Sequence, residues 1–148
     1  MYKKLLVPLD GSILCANALG PAEDMAKRYD AEVILIHVVP YTPIYSEDRI
    51  GELSEPDKSE IAVAEQFVSE RAEDLKAKGI KVSWETLVGE LPAQEIIEYG
   101  RKKSVDLIVL TTHGRSGFSN LWLGSVAERV IRKGTEFASV FVLRCKDE

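Results

Sequence analysis

The chain has 148 residues, 45% of them apolar and 29% charged, with a net charge of −5. That length supports one domain with a core of its own and is too short for two of ordinary size. No run approaches the roughly 18 consecutive apolar residues of a membrane helix, and Lys and Arg scattered among acids argue against a nucleic-acid-binding surface.

The apolar run from Lys4 to Leu9 predicts a first strand, left by the polar segment Pro8-Leu9-Asp10-Gly11-Ser12. A helix should begin near Ser12, but Gly20-Pro21 lies inside it, and an interior proline costs about 3 kcal/mol, so a kink or break is expected there. Glu32 to Val39 reads as the second strand. The link from Pro40 to Lys58, with three prolines and several acids, reads as a mobile surface loop, with a lid over a ligand as the functional alternative. Ile61, Ala64, Val68, Ala72 and Leu75 recur at helical spacing, and Gly79 marks the stop.

Val82 to Leu87 is the third predicted strand. The next helix starts at Pro92, a favoured first-turn position, and turns Ile96 and Ile97 toward the sheet. Val105 to Thr111 is the fourth strand. A last helix starts at Gly124-Ser125, with Ser125 and Glu128 at capping-box spacing and Val126, Val130 and Ile131 as its inner stripe. Its end, Arg132-Lys133-Gly134, suits the helix dipole, and Ser139 to Leu143 is the fifth strand. Strands alternating with helices in this way imply a parallel α/β sheet with helices on both faces.

The most informative stretch is Leu110 to Arg129, where a glycine-bearing loop leaves a buried strand and enters a helix. Such a loop offers an anion several backbone N–H groups at a helix N-terminus, which makes phosphate the first ligand to suspect. The alternative is that the glycines only shape a turn and Ser125 only caps its helix. Thr111, Gly114, Gly124 and Ser125 fall in the register of the G-x2-G-x9-G-S/T signature, with Thr111 in place of the first glycine. With the opening KKLLVPLDGS and a second strand ending LIHVV, the chain resembles the universal stress protein family over nearly its whole length.

The resemblance implies a single domain over residues 1–148 with a doubly wound five-stranded sheet of order 3-2-1-4-5, of the adenine-nucleotide alpha-hydrolase-like type. Ligands of open α/β sheets bind where strand order reverses. Pro8, Leu9 and Asp10 would therefore face Leu110, Thr111 and the segment through Gly117 across one crevice. The resemblance further implies that ATP would place its adenine edge at the backbone of Val38 and its phosphates at Gly114, Gly124, Ser125 and Val126, with Mg²⁺ or Mn²⁺ held through those phosphates. Arg115 could reach a terminal phosphate, or could be only a solvated loop arginine. Asp10 is a candidate acceptor for ribose hydroxyls, but equally an acid favouring a helix dipole or an Asx-turn residue. Ser12 reads as a cap. Two departures stand out: Thr111 puts a β-branched side chain where close approach to ribose is expected, and Ala127 lacks the hydroxyl that some nucleotide-binding members carry.

No P-loop, GxGxxG, GxSxG or HxGH motif occurs, and no catalytic residue can be assigned. His113 could serve as an acid or base near neutral pH, or simply pack in its loop. Cys15 and Cys145 read as free thiols. His37 and His113 lie far apart in sequence, which argues against a zinc site. The opening residues lack a secretory h-region, and two cysteines cannot make a disulfide framework, so the expected compartment is the cytoplasm.

The family implies a homodimer through Ser139 to Leu143; the alternative is that the tail from Arg144 to Glu148 covers that edge. The expected function is adenine-nucleotide binding coupled to dimer or partner association in a stress response. The alternatives are a non-nucleotide interaction protein of the same fold and a slow ATP hydrolase.

Overall fold

The computed structural model of the chain describes residues 1–113 and 123–144. The expectations for Gly114, Arg115, Gly117 and Cys145 lie outside these residues.

Five strands form one parallel sheet: β1 (Lys4–Leu9), β2 (Glu32–Pro40), β5 (Val82–Gly89), β6 (Leu107–Thr111) and β7 (Ser139–Leu143). Their order is β5-β2-β1-β6-β7, which is the 3-2-1-4-5 pattern once the two short strands β3 (Thr42–Pro43) and β4 (Leu53–Ser54) are left out of the count. The centre of the sheet is apolar on both faces, as a parallel strand between two helix layers must be: residues 33–39 of β2 are all buried, and so is the whole of β6. Successive side chains point to opposite faces. Leu5, Val7 and Leu9 pack with Val33 and Leu35 against Ala18, Ala22, Val68 and Ala72. Leu6, Ile34, Ile36, Ile108 and Leu110 pack against Ala93, Ile96, Ala127 and Val130 on the other face.

The helices are α1 (Ile13–Ala16), α2 (Leu19–Tyr29), α3 (Lys58–Ala77), α4 (Pro92–Lys102) and α5 (Ser125–Gly134). The expected break near Gly20-Pro21 occurs, but ahead of the proline. The helix restarts at Leu19 with Ala18 as N-cap, so Pro21 falls in the first turn, where an N–H has no intrahelical partner to lose. Helix α3 opens with a reciprocal capping box: the Glu60 N–H donates to Asp57 Oδ1 at 2.9 Å, and the Asp57 N–H donates to Glu60 Oε2 at 2.8 Å. It stops where expected, before Gly79 at φ +83°.

Three expectations need correction. The link after β2 contains an antiparallel arm, β3 (Thr42–Pro43) against β4 (Leu53–Ser54), with a 3₁₀ turn over Glu47–Arg49. Two-residue strands are too short to leave an alternating pattern, and their proline further masks them. Strand β6 starts at Leu107 rather than Val105, because the Asp106 carboxylate accepts the backbone N–H groups of Lys3 and Lys4 and ties the starts of β6 and β1 together. Strand β5 continues two residues past Leu87, its last pair being Gly89 with Pro40. Among the described residues no helix is long and apolar enough to cross a membrane.

Candidate functional site

Strand order reverses between β1 and β6, and their carboxyl ends leave the sheet side by side. A cavity of about 240 Å³ opens there. Nine of the residues singled out from sequence line it: Pro8, Leu9 and Asp10 from the β1 exit, Val38 from β2, Leu110 and Thr111 from β6, and Gly124, Ser125 and Val126 at the start of α5. The remaining walls are Cys15, Pro40, Pro92, Ile96, Thr112 and Ala127; Thr112 belongs to the segment expected to face the crevice and Ala127 is the position noted for its missing hydroxyl, while the other four carry no ligand expectation from sequence. Pro92 and Ile96 were read as helix start and core. Their position beside the cavity depends on where α4 crosses β2, which helical periodicity does not reveal.

The β1 exit is a tight turn held by side chains. Gly11 sits at φ +83°, a left-handed conformation that favours glycine. Asp10 Oδ1 accepts the Ser12 N–H at 2.9 Å, which is the Asx turn foreseen as one alternative, while Ser12 Oγ caps α1 by accepting the Cys15 N–H at 3.1 Å. The Cys15 Sγ accepts the Asp10 N–H at 3.3 Å and donates to the Ser12 carbonyl at 3.0 Å. Burial pushes this thiol up to about 11, and the Asp10 carboxylate also raises it, so at neutral pH it keeps its proton.

The β6 exit is held by main chain. The Thr112 N–H donates to the Leu143 carbonyl at 2.9 Å, and the Gly124 N–H donates to the Thr112 carbonyl at 2.7 Å, which fastens the start of α5 to the ends of β6 and β7. Thr111 is buried, and its hydroxyl donates to the His113 carbonyl at 2.8 Å. The His113 Nδ1 lies 3.1 Å from Thr112 Oγ1.

At α5 the capping-box expectation for Ser125 and Glu128 is not met. Gly124 is the N-cap, Ser125 is the first helical residue, and among the described residues no side chain caps this end. The reason is steric: a Cβ at Gly124 would lie 2.9 Å from the Thr112 oxygen, so the position against β6 admits only glycine without a shift. The first helical bond runs from the Glu128 N–H to the Gly124 carbonyl at 2.9 Å. The N–H groups of Ser125, Val126 and Ala127 therefore precede the intrahelical ladder at the positive end of the dipole. The inner stripe also differs from expectation: Ala127, Val130 and Gly134 are buried, whereas Val126 is 36% exposed, beside the cavity, and Ile131 is half-buried.

A doubly wound sheet with an apolar crevice and a glycine-capped helix start at its strand-order reversal defines an open α/β protein whose crevice lies where such folds hold ligands. The sequence profile of the universal stress protein family matches residues 1–136, and the chain belongs to that family. It is 42% identical to the universal stress protein MJ0531 of Methanocaldococcus jannaschii over 135 residues, covering 89% of this chain and 77% of that one. The solved structure of MJ0577 from the same organism superposes with a TM-score of 0.75 at 28% identity, covering 100% of this chain and 99% of that chain. Two further structures share the fold at a TM-score of 0.68. One is a universal stress protein in complex with cAMP, at 22% identity and covering 97% of this chain and 96% of that one; the other is the Archaeoglobus fulgidus protein in complex with dAMP, at 20% identity and covering 98% of each.

Proposed function

We propose that this protein binds an adenine nucleotide in the crevice between β1 and β6, and that binding controls its association with a second copy or with a partner in a cytoplasmic stress response. The observation that carries the reading is the start of α5: three N–H groups ahead of the helical ladder, at a glycine N-cap, beside an apolar wall of Val38, Leu110, Pro92 and Ile96. An apolar slot suits a base, and a helix start suits a phosphate. The Asp10 carboxylate, in the wall of the same cavity, accepts hydrogen bonds only, as ribose hydroxyls require; an Asx turn at one oxygen does not exclude a ligand, because a carboxylate has about four acceptor sites. The complexes of related folds with cAMP and dAMP support the adenine assignment. ATP is the proposed ligand, with Mg²⁺ or Mn²⁺ held through its phosphates, and no catalytic residue is assigned.

Calorimetric titration of nucleotide-stripped protein with ATP and Mg²⁺ tests this, run beside Ser125→Glu. An acid in the first turn favours the helix dipole and leaves folding intact, yet repels a phosphate. We expect micromolar binding in the parent and at least about tenfold weaker binding in the variant, the effect of a repulsion of roughly 1.4 kcal/mol. No heat in the parent would establish the second reading, an interaction protein of this fold without a nucleotide. That reading is favoured by Thr111, whose buried side chain stands where the family signature has glycine.

The proposed self-association uses β7, the last strand of the sheet, whose Val140, Phe141, Val142 and Leu143 are half-buried among the described residues. Light scattering at micromolar concentration should give a dimer mass, and a monomer would contradict it.

A further inference from the structure

Cys15 carries no sequence motif, yet its thiol lines the cavity and touches the backbone on both sides of Gly11. Glycine at φ +83° is conformationally permissive, so the turn it makes has to be fixed by bonds across it. Four hydrogen bonds do this among three residues: Asp10 to Cys15, Cys15 to Ser12 twice, and Ser12 to Asp10. Two of the four use the sulfur. One of these is accepted from the N–H of Asp10 itself, so the place from which the carboxylate is presented depends on the thiol. The protonated thiol is a weak donor and a weak acceptor, and here it serves as both.

We propose that Cys15 is a positioning residue for Asp10, its thiol holding the β1–α1 turn so that the carboxylate meets the ribose hydroxyls of a nucleotide in the crevice. The inference rests on the nucleotide reading above. A hydroxyl can make the same two bonds, whereas valine occupies a similar volume and can make neither.

The test compares the affinity of the full-length protein for ATP with that for 2′,3′-dideoxy-ATP, both with Mg²⁺. If Asp10 accepts from the ribose, the parent should prefer ATP by about tenfold or more, as charged hydrogen bonds contribute, and Asp10→Ala should bring the ratio near unity. Cys15→Val should lower the ratio at least about threefold and Cys15→Ser should keep it within about twofold, since only the first removes the hydrogen bonds. If Cys15→Val does not fold, Cys15→Ala reports the same ratio.

A purely structural role would weaken both ligands equally, and an unchanged ratio in Cys15→Val overturns the inference. So does a ratio lost in Cys15→Ser as fully as in Cys15→Val, or a parent that binds both nucleotides equally well. A parent that binds neither overturns the nucleotide reading, and the inference with it. Binding with an unchanged ratio overturns the inference alone.

Discussion

The two sides of the crevice are built by different means. At the β1 exit, side chains hold the backbone: Asp10, Ser12 and Cys15 close a turn around Gly11. At the β6 exit, backbone mostly holds backbone: the main chain of Thr112 binds Leu143 on one side and Gly124 on the other, and the Thr111 hydroxyl adds one bond to the His113 carbonyl. The first kind of construction fails when a side chain loses a hydrogen bond, whereas the second is indifferent to most side chains and fails when one is added where none fits.

Three substitutions sharpen that contrast, in decreasing order of effect. Gly124→Val places carbon atoms against the Thr112 oxygen, where a Cβ alone would approach to 2.9 Å. Overpacking of this kind destabilises by about 2 kcal/mol, and urea unfolding should show it. An unchanged midpoint would mean that the clamp yields easily. The same collision makes this variant a poor test of phosphate approach, because the fold suffers before any ligand is met.

Asp57→Ala has a smaller effect and removes a helix start of the side-chain kind, the capping box of α3. Thermal unfolding should move down by a few degrees. The Ser59 hydroxyl, and after it the Glu60 N–H, hold the Asp57 carboxyl below its ordinary value of 3.8. A group depressed in the folded state stabilises fully above its unfolded pKa and loses that contribution as pH falls through the folded value. The gap between parent and variant should thus be constant at neutral pH and close below about pH 4. A gap that persists at pH 2 would remove the carboxylate from the explanation.

Ser125→Ala should do least, within about 0.5 kcal/mol of the parent in urea unfolding, because Ser125 is the first helical residue and not the cap. A loss of about 1 kcal/mol would restore it as a cap.

The same contrast explains what the sequence disclosed. Residues 33–39 are apolar except for the buried His37, and a central parallel strand was legible from them without any structure. Asp10-Gly11-Ser12 announced a turn because Asx-turn and cap chemistry reside in side chains. The α5 start was misread at Ser125 for the converse reason. What decides its cap is the distance from Gly124 to a carbonyl twelve residues earlier, and that distance has no local signature. The inner stripe runs through Ala127 instead of Val126 for a similar reason, because the packing of α5 on the sheet decides it. Strand order came from the family signature rather than from periodicity. The walls supplied by Pro92 and Ile96 depended on a helix crossing that only the assembled sheet defines.

The short arm after β2 has a consequence of another sort. Strands β3 and β4 pair with each other and with no strand of the main sheet among the described residues. Tyr45 and Ile50 stand almost fully in solvent near its end, with Gly51 in a left-handed turn between the 3₁₀ segment and β4. Its length is therefore a free variable of the architecture. Doubling such a connection costs only about 0.6 kcal/mol of closure entropy, and neither the register of β2 nor the capped start of α3 has to change. Insertions and deletions among descendants of this chain should collect in the arm, next to the crevice but outside the framework that forms it.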